Sequence, residues 1–330
     1  MSESIALNWN SLHGDYFAGS AAVVTGGAGF IGSHLAEALT QLGARVVVLD
    51  DLSGGSRDNL RSFGPVEFVH GSILDHDLLA RCMEGCRSVF HQAALGSVPR
   101  SVEEPRLFND VNTNGTLNVL EAARRANVPR VTFAASSSVY GENPVPWAET
   151  LPPMPKSPYA ATKLAGEGLL RAYANSYGLD TVSLRYFNIF GPRQNANSAY
   201  AAVIAAFAKA LLAGQRPVIY GDGEQSRDFT FVANVVHANL LAARHQQPFR
   251  GEAINVGCGG QISVNHLAAS MAIALGRADL KPLYEPQRPG DIKHSFADLT
   301  RATDLLGYRP LVPFQPGLEQ MLAWYKSGQA

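Results

Sequence analysis

Residues 157–163 read SPYAATK, which sets Tyr159 and Lys163 four positions apart just after Pro158. In a helix those two side chains share one face, one turn apart, so the ammonium can stand near the phenol. A free phenol has a pKa of about 10 and is a poor base at neutrality, and a nearby positive charge brings that value toward working pH. The pair is suited to taking a proton from a hydroxyl and giving it back. What it acts on depends on what the rest of the chain places beside it.

A glycine loop, TGGAGFIG at 25–32, is the first such feature. Gly26, Gly29 and Gly32 remove side chains where a tight turn forms, where backbone amides approach a diphosphate, and where a helix packs on a strand. The helix N-terminus beyond them supplies partial positive charge, so a chain with no net basic character can still bind a pyrophosphate. Asp50 ends the next apolar run, where a carboxylate can take the adenosine ribose hydroxyls and repel a 2′-phosphate. These features predict NAD rather than NADP. Arg57, the nearest cation after DDLSGG, is the residue that could soften this preference.

The elements that must position these groups alternate along the chain. AAVVT (21–25), ARVVVLD (44–50), VEFVH (66–70), SVFHQ (88–92) and RVTFAAS (130–136) are short apolar runs rich in β-branched or aromatic residues, the pattern of buried parallel strands. Helical segments such as IGSHLAEALTQLG and VNTNGTLNVLEAARRANV lie between them, the second stopping at Pro129. Strand and helix in alternation predict an α/β fold, a Rossmann-type doubly wound parallel sheet with a smaller mixed α/β substrate-binding lobe. An N-terminal extension is expected over 1–20 and an NAD-binding domain over 21–185. Most of 186–330 is expected in the second lobe, with some excursions back to the sheet.

Composition agrees with a globular protein. The 330 residues are 46% hydrophobic and 17% charged, enough for a full core, and the formal net charge of -1 gives no long-range attraction to nucleic acid or anionic lipid. Cys82, Cys86 and Cys258 lack the spacing of a redox or zinc pair, so buried free thiols, no metal site and a reducing cytoplasm are expected. The first 20 residues are polar with no apolar run, and neither a signal peptide nor a membrane span is expected there.

Taken together, GGAGFIG, SSSVYG, SPYAATK, LRYFNIFGPRQ, GDGEQSRDFTFV and RPGDIKHSFAD follow one another in an order that resembles the extended short-chain dehydrogenase/reductases, from about residue 20 to the end. Within them the chain is most similar to the nucleotide-diphosphate-sugar 4-epimerases, and closest to those acting on UDP-N-acetylglucosamine. The resemblance implies Ser136, Tyr159 and Lys163 as catalytic residues. Tyr159 would take the proton of the sugar 4-hydroxyl while NAD accepts the C4 hydride, and Lys163 would also hold the nicotinamide ribose. It implies cofactor contacts at Gly26, Gly29, Phe30, Ile31, Gly32, Asp50, Ser72, Ile73, Ala93, Tyr159, Lys163 and Tyr186. Ser72 stands where many relatives carry an aspartate for the adenine amine. Substrate contacts are implied at Ser97, Arg100, Ser136, Ser138, Tyr159, Asn188, Arg227, Arg288, Asp291 and Ser295, the arginines gripping diphosphate oxygens. A homodimer through helices near 105–126 and 157–177 is implied as in relatives.

Ser137 and Ser138 also exclude chemistry. Related 4,6-dehydratases carry an Asp-Glu pair there and decarboxylating relatives a glutamate at the second position, whereas neither serine is an acid or base near neutrality. Simple return of hydride to a 4-keto sugar is the expected outcome. Ser295, where plain-hexose epimerases carry a tyrosine facing the sugar C2 substituent, predicts room for an acetamido group. UDP-N-acetylglucosamine and its galacto epimer are the expected substrates, with UDP-glucose and UDP-galactose also accepted. Epimerisation of UDP-glucuronate or UDP-N-acetylglucosaminuronate stays open at this stage. So does a non-catalytic nucleotide-sugar-binding regulator, although that would not need serine, tyrosine and lysine together.

Overall fold

The computed structural model describes residues 7–194, 203–287 and 292–327. Its centre is a seven-stranded parallel sheet built from β1 (Ala21–Thr25), β2 (Arg45–Asp50), β3 (Glu67–His70), β4 (Ser88–His91), β5 (Arg130–Ser136), β6 (Asp180–Tyr186) and β7 (Arg250–Val256). The five apolar runs recognised in the sequence are the first five strands. The order across the sheet is β7-β6-β5-β4-β1-β2-β3. The chain builds outward from β1 to β3, then crosses back to lay β4 on the other side of β1. That reversal opens a crevice beyond the carboxyl ends of β1 and β4, where an open α/β sheet receives its ligand.

Helices cover both faces. Leu79, Val119, Leu120, Leu170 and Tyr173 pack with Val23, Val89 and Val131 on one side, and Leu35, Leu39, Val236 and Leu240 pack with Val24, Val48 and Phe90 on the other. The N-terminal extension joins this second face. Its short helix Trp9–His13 leads into fully buried Phe17, and the His13 ring meets His237 at 3.1 Å. The segment expected as one helix over 111–128 is a π-helical turn, Asn109–Asn114, running into Gly115–Arg125.

β7 returns to the sheet from deep in the second half of the chain, pairing with β6. The second lobe has its own core, where Phe207, Leu211, Phe231, Leu267, Met271 and Leu322 meet. Short strands tie this lobe together: Ser226–Arg227 lies between Ile262–Ser263 and His294–Ser295, with Arg227 in register with Ser295.

Candidate active site

The crevice is a cavity of about 320 Å³ lined by Gly26, Gly29, Phe30, Ile31, Gly32, Asp50, Ile73, Ala93, Tyr159, Lys163 and Tyr186 among others. The glycines act by absence. A Cβ on Gly26, at φ +67, would lie 2.7 Å from the Ala93 Cα, and one on Gly32 would lie 2.2 Å from the Gly26 carbonyl oxygen. Bare backbone here leads tightly into the helix Phe30–Gln41, whose first turn lines the cavity and whose N-cap, Gly29, has no side chain to occupy the helix N-terminus. Asp50 fastens the loop: its carboxylate accepts from the Ala28 amide at 3.0 Å and the Leu52 amide at 2.8 Å, while burial pushes its pKa up. A dinucleotide diphosphate fits this cradle, because Gly26, Gly29 and Gly32 line the cavity without side chains and no side chain caps the helix N-terminus there.

On the far side of the cavity, β5 delivers Ser136 and the helix Pro158–Tyr177 delivers Tyr159 and Lys163. Ser157 caps that helix by accepting from the Ala160 amide at 3.2 Å, and Pro158 occupies its first turn. The Ser138 hydroxyl donates to Ser136 Oγ at 2.9 Å, leaving the Ser136 proton for the hydrogen bond to the Tyr159 phenol. Burial raises the Tyr159 pKa and that bond opposes the rise. Lys163 is buried, its Nζ donating to the Ala134 carbonyl at 2.7 Å and lying 5.9 Å from the centre of the Tyr159 ring. Burial lowers its pKa to about 7. Burial thus moves the lysine's pKa down and the tyrosine's up, so the depression expected from Lys163 and the positive nicotinamide ring together would rest on the charge of the bound cofactor.

A buried hydrogen-bond chain holds the cavity wall. His91, neutral because burial lowers its pKa to about 3, joins Thr25 Oγ1 at 2.8 Å through Nδ1 and Thr116 Oγ1 at 3.0 Å through Nε2. Thr116 donates to the Asn112 carbonyl at 2.6 Å. The Asn112 side chain clamps both the amide and the carbonyl of Leu95 and donates to Thr162 Oγ1, which itself donates to the Tyr159 carbonyl. The 93–96 wall and the tyrosine helix are therefore one unit. Tyr186, its pKa pushed up to about 12 by burial, donates to Gln92 Oε1 at 3.1 Å and accepts from Asn239 Nδ2 at 2.8 Å.

Other expected residues sit elsewhere. Ser72 is not on the cavity wall, which its neighbours Gly71 and Ile73 form; its hydroxyl accepts from the Leu74 amide. Ser97 caps the helix Val98–Glu103, and Arg100 pairs with Glu104 at 2.6 Å. Arg57 stacks on the Phe68 ring at 4.5 Å. Asn188, Arg227 and Ser295 do come together: Asn188 Nδ2 donates to Ser295 Oγ at 3.5 Å, beside the Arg227 pairing. Asn188 holds φ 37, a left-handed strain found at functional positions. Arg288 and Asp291 lie outside the described residues. Sequence reasoning missed Gln92, Asn112 and Asp228, although HQAA and SRDF contain the first and last. No helix among the described residues is long and apolar enough to cross a membrane.

An NAD-type cradle at the switch point, joined to a serine, tyrosine and lysine cluster, defines an NAD-dependent short-chain dehydrogenase/reductase. Residues 22–257 match the model of the NAD dependent epimerase/dehydratase family, and the chain belongs to that family. It is 42% identical over 311 residues to the UDP-glucose 4-epimerase of Mycolicibacterium smegmatis, covering 92% of this chain and 98% of that one. Among solved structures, the UDP-N-acetylglucosamine 4-epimerase from Methanobrevibacter ruminantium in complex with UDP-N-acetylmuramic acid superposes with a TM-score of 0.90 at 42% identity, covering 94% and 99% of the two chains. The UDP-glucose 4-epimerase of Thermus thermophilus in complex with NAD gives 0.84 at 38% identity, covering 93% and 99%.

Proposed function

We propose that this protein interconverts UDP-N-acetylglucosamine and UDP-N-acetylgalactosamine, and accepts UDP-glucose and UDP-galactose at comparable or lower efficiency. The coarser activity is that of the family: the chain is an NAD-dependent nucleotide-sugar 4-epimerase, an isomerase. One observation carries the finer reading. Ser295 is a small, buried side chain standing against Asn188, at the position read from the sequence as facing the sugar's C2 substituent.

Bound NAD supplies a reversible two-electron acceptor. Tyr159 takes the 4-hydroxyl proton as the 4-keto sugar forms and returns it after the sugar has turned over in the pocket. Ser136, polarised by Ser138, hydrogen-bonds the phenolate and the sugar oxygen. Ser137 and Ser138 offer no acid or base to eliminate water from the ketone, so return to the alcohol is the open route. Because both sugar faces must be presented, binding energy belongs at the nucleotide diphosphate.

The test is incubation of the purified holoenzyme with UDP-N-acetylglucosamine, UDP-glucose and UDP-glucuronate, with the product sugars identified. Conversion of the N-acetylated substrate to its 4-epimer is expected. Turnover of UDP-glucose alone, or of the uronate alone, overturns the reading. We infer further that the protein acts in the cytoplasm, consistent with its three free cysteines, and as a homodimer. Large exposed apolar side chains at Val102, Leu107, Leu117 and Tyr177 on neighbouring helices support the dimer, and a monomer by sedimentation equilibrium excludes it.

A further inference from the structure

The least expected group in the second lobe is Asp228, whose side chain is almost fully buried. Its Oδ1 accepts from the Cys258 amide at 2.8 Å, and its Oδ2 accepts from the Gly259 amide at 2.9 Å and the Ala297 amide at 3.2 Å. Three N–H donors converging on two oxygens call for a group that only accepts. An ionised carboxylate meets that condition, whereas an amide or a protonated acid turns a hydrogen toward one of the donors. Space is fitted to it as well, since a Cβ on Gly257 would lie 2.6 Å from Oδ2.

The backbone of the same residue completes the arrangement. Its amide donates to the Ser295 carbonyl at 2.9 Å, and its carbonyl accepts from Asn188 Nδ2 at 3.3 Å. Arg227 precedes it in sequence and pairs with Ser295 in register. One residue therefore ties together four stretches of chain, around residues 188, 227, 258 and 296, its carboxylate holding the amides of 258, 259 and 297 and its backbone holding Asn188 and Ser295; three of the stretches carry the residues read above as substrate contacts.

We propose that ionised Asp228 is the positioning residue that sets Asn188, Arg227 and Ser295 to receive the nucleotide sugar. The proposal rests on the reading of this lobe as the nucleotide-sugar site. It implies that substrate binding depends on the charge of a group that touches no substrate.

Burial pushes the Asp228 pKa up to about 6, with the three amides opposing the rise, so the charge is lost at mildly acid pH. Among the described residues, the titratable and charged groups around it are few. Burial pushes the Cys258 thiol up to about 12, and it holds the Tyr308 phenol, which donates to the Gly257 carbonyl at 2.9 Å, well above its ordinary value. Arg227 donates to the Ser226 and Lys293 carbonyls, and the His294 ring meets Ser226 Oγ at 2.8 Å.

The experiment compares wild-type and Asp228→Asn holoenzymes with UDP-N-acetylglucosamine, whose diphosphate is a diester and does not titrate in the range used. At pH about 8 the variant is expected to show a KM raised about tenfold, with kcat within about twofold and bound NAD retained. As pH falls from about 8 to about 5, the wild-type KM climbs through the Asp228 titration while that of the variant stays flat. An unchanged KM in the variant, or an acid limb that persists in it, overturns the proposal. Should the variant not fold, a wild-type KM that is flat over the same range overturns it alone. A wild type that neither binds nor turns over any nucleotide sugar overturns the reading of the lobe itself, whereas a substrate-competent wild type matched by the variant overturns only the role of Asp228.

Discussion

Lys163 Nζ donates to the carbonyl of Ala134, 2.7 Å away on the strand that carries Ser136. The bond ties the catalytic helix to β5 and takes the ammonium out of water, and burial brings its pKa down to about 7. An unfolded lysine keeps its proton to about pH 10. Between those values the unfolded chain holds a proton that the folded one has released, so stability rises with pH across the window and is level below it. Lys163→Met removes that contribution, and urea unfolding between about pH 7 and about pH 10 should show a shallower rise in the variant. Equal slopes would show that the lysine is not held neutral by burial.

Tyr159→Phe removes the ionisable oxygen and little else. Turnover should fall by at least about 100-fold, while NAD content and substrate affinity stay near wild type. Near-normal rates in this variant would sink the proton-transfer assignment.

Ser138 is expected to act through Ser136, to which its hydroxyl donates. Ser138→Ala withdraws the donated bond at 2.9 Å and should lower kcat by about tenfold with KM little changed. A rise in KM without loss of kcat would instead make Ser138 a direct substrate contact, as first expected from its place in SSSVYG.

Because hydrogen removed from C4 is returned within one cycle, NAD should stay with the protein through purification. Continuous turnover should draw on no nicotinamide from the medium, which absorbance at the reduced-cofactor band can check. Stoichiometric consumption of added NAD contradicts epimerisation.

Ser295→Tyr restores bulk beside Asn188. Activity on N-acetylated substrates should disappear while that on plain hexoses survives, measured as the ratio of the two kcat/KM values. An unaltered ratio would remove Ser295 from the specificity argument.

Much of the catalytic half was legible in the sequence because its signals are local. The glycine loop, Asp50, the first five strands and the Ser136, Tyr159 and Lys163 set each occupy a short stretch whose spacing carries its own meaning. The two remaining strands were not legible. DTVSLRY places Thr181, Ser183 and Arg185 in a strand that is nearly all buried, and their polarity hides it. Arg185 is tolerated there because Glu167 meets it with two hydrogen bonds at 2.8 and 2.7 Å. Asn255 in β7 is likewise satisfied by Tyr140 and by the Trp147 and Asp298 carbonyls.

The sequence by itself determined which groups this protein brings to its chemistry: a glycine cradle, a strand-end carboxylate, and a serine, tyrosine and lysine in fixed order. Only the tertiary structure decided their condition. Strand order placed the crevice between β1 and β4, burial moved the pKa of Lys163 down and that of Tyr159 up, and Asp228 came to bind amides distant in sequence. Spacing along a chain fixes which side chains can share a helix face or a strand end. Desolvation and the pairing of buried polar groups depend on segments far apart in sequence, and those meet only when the core closes.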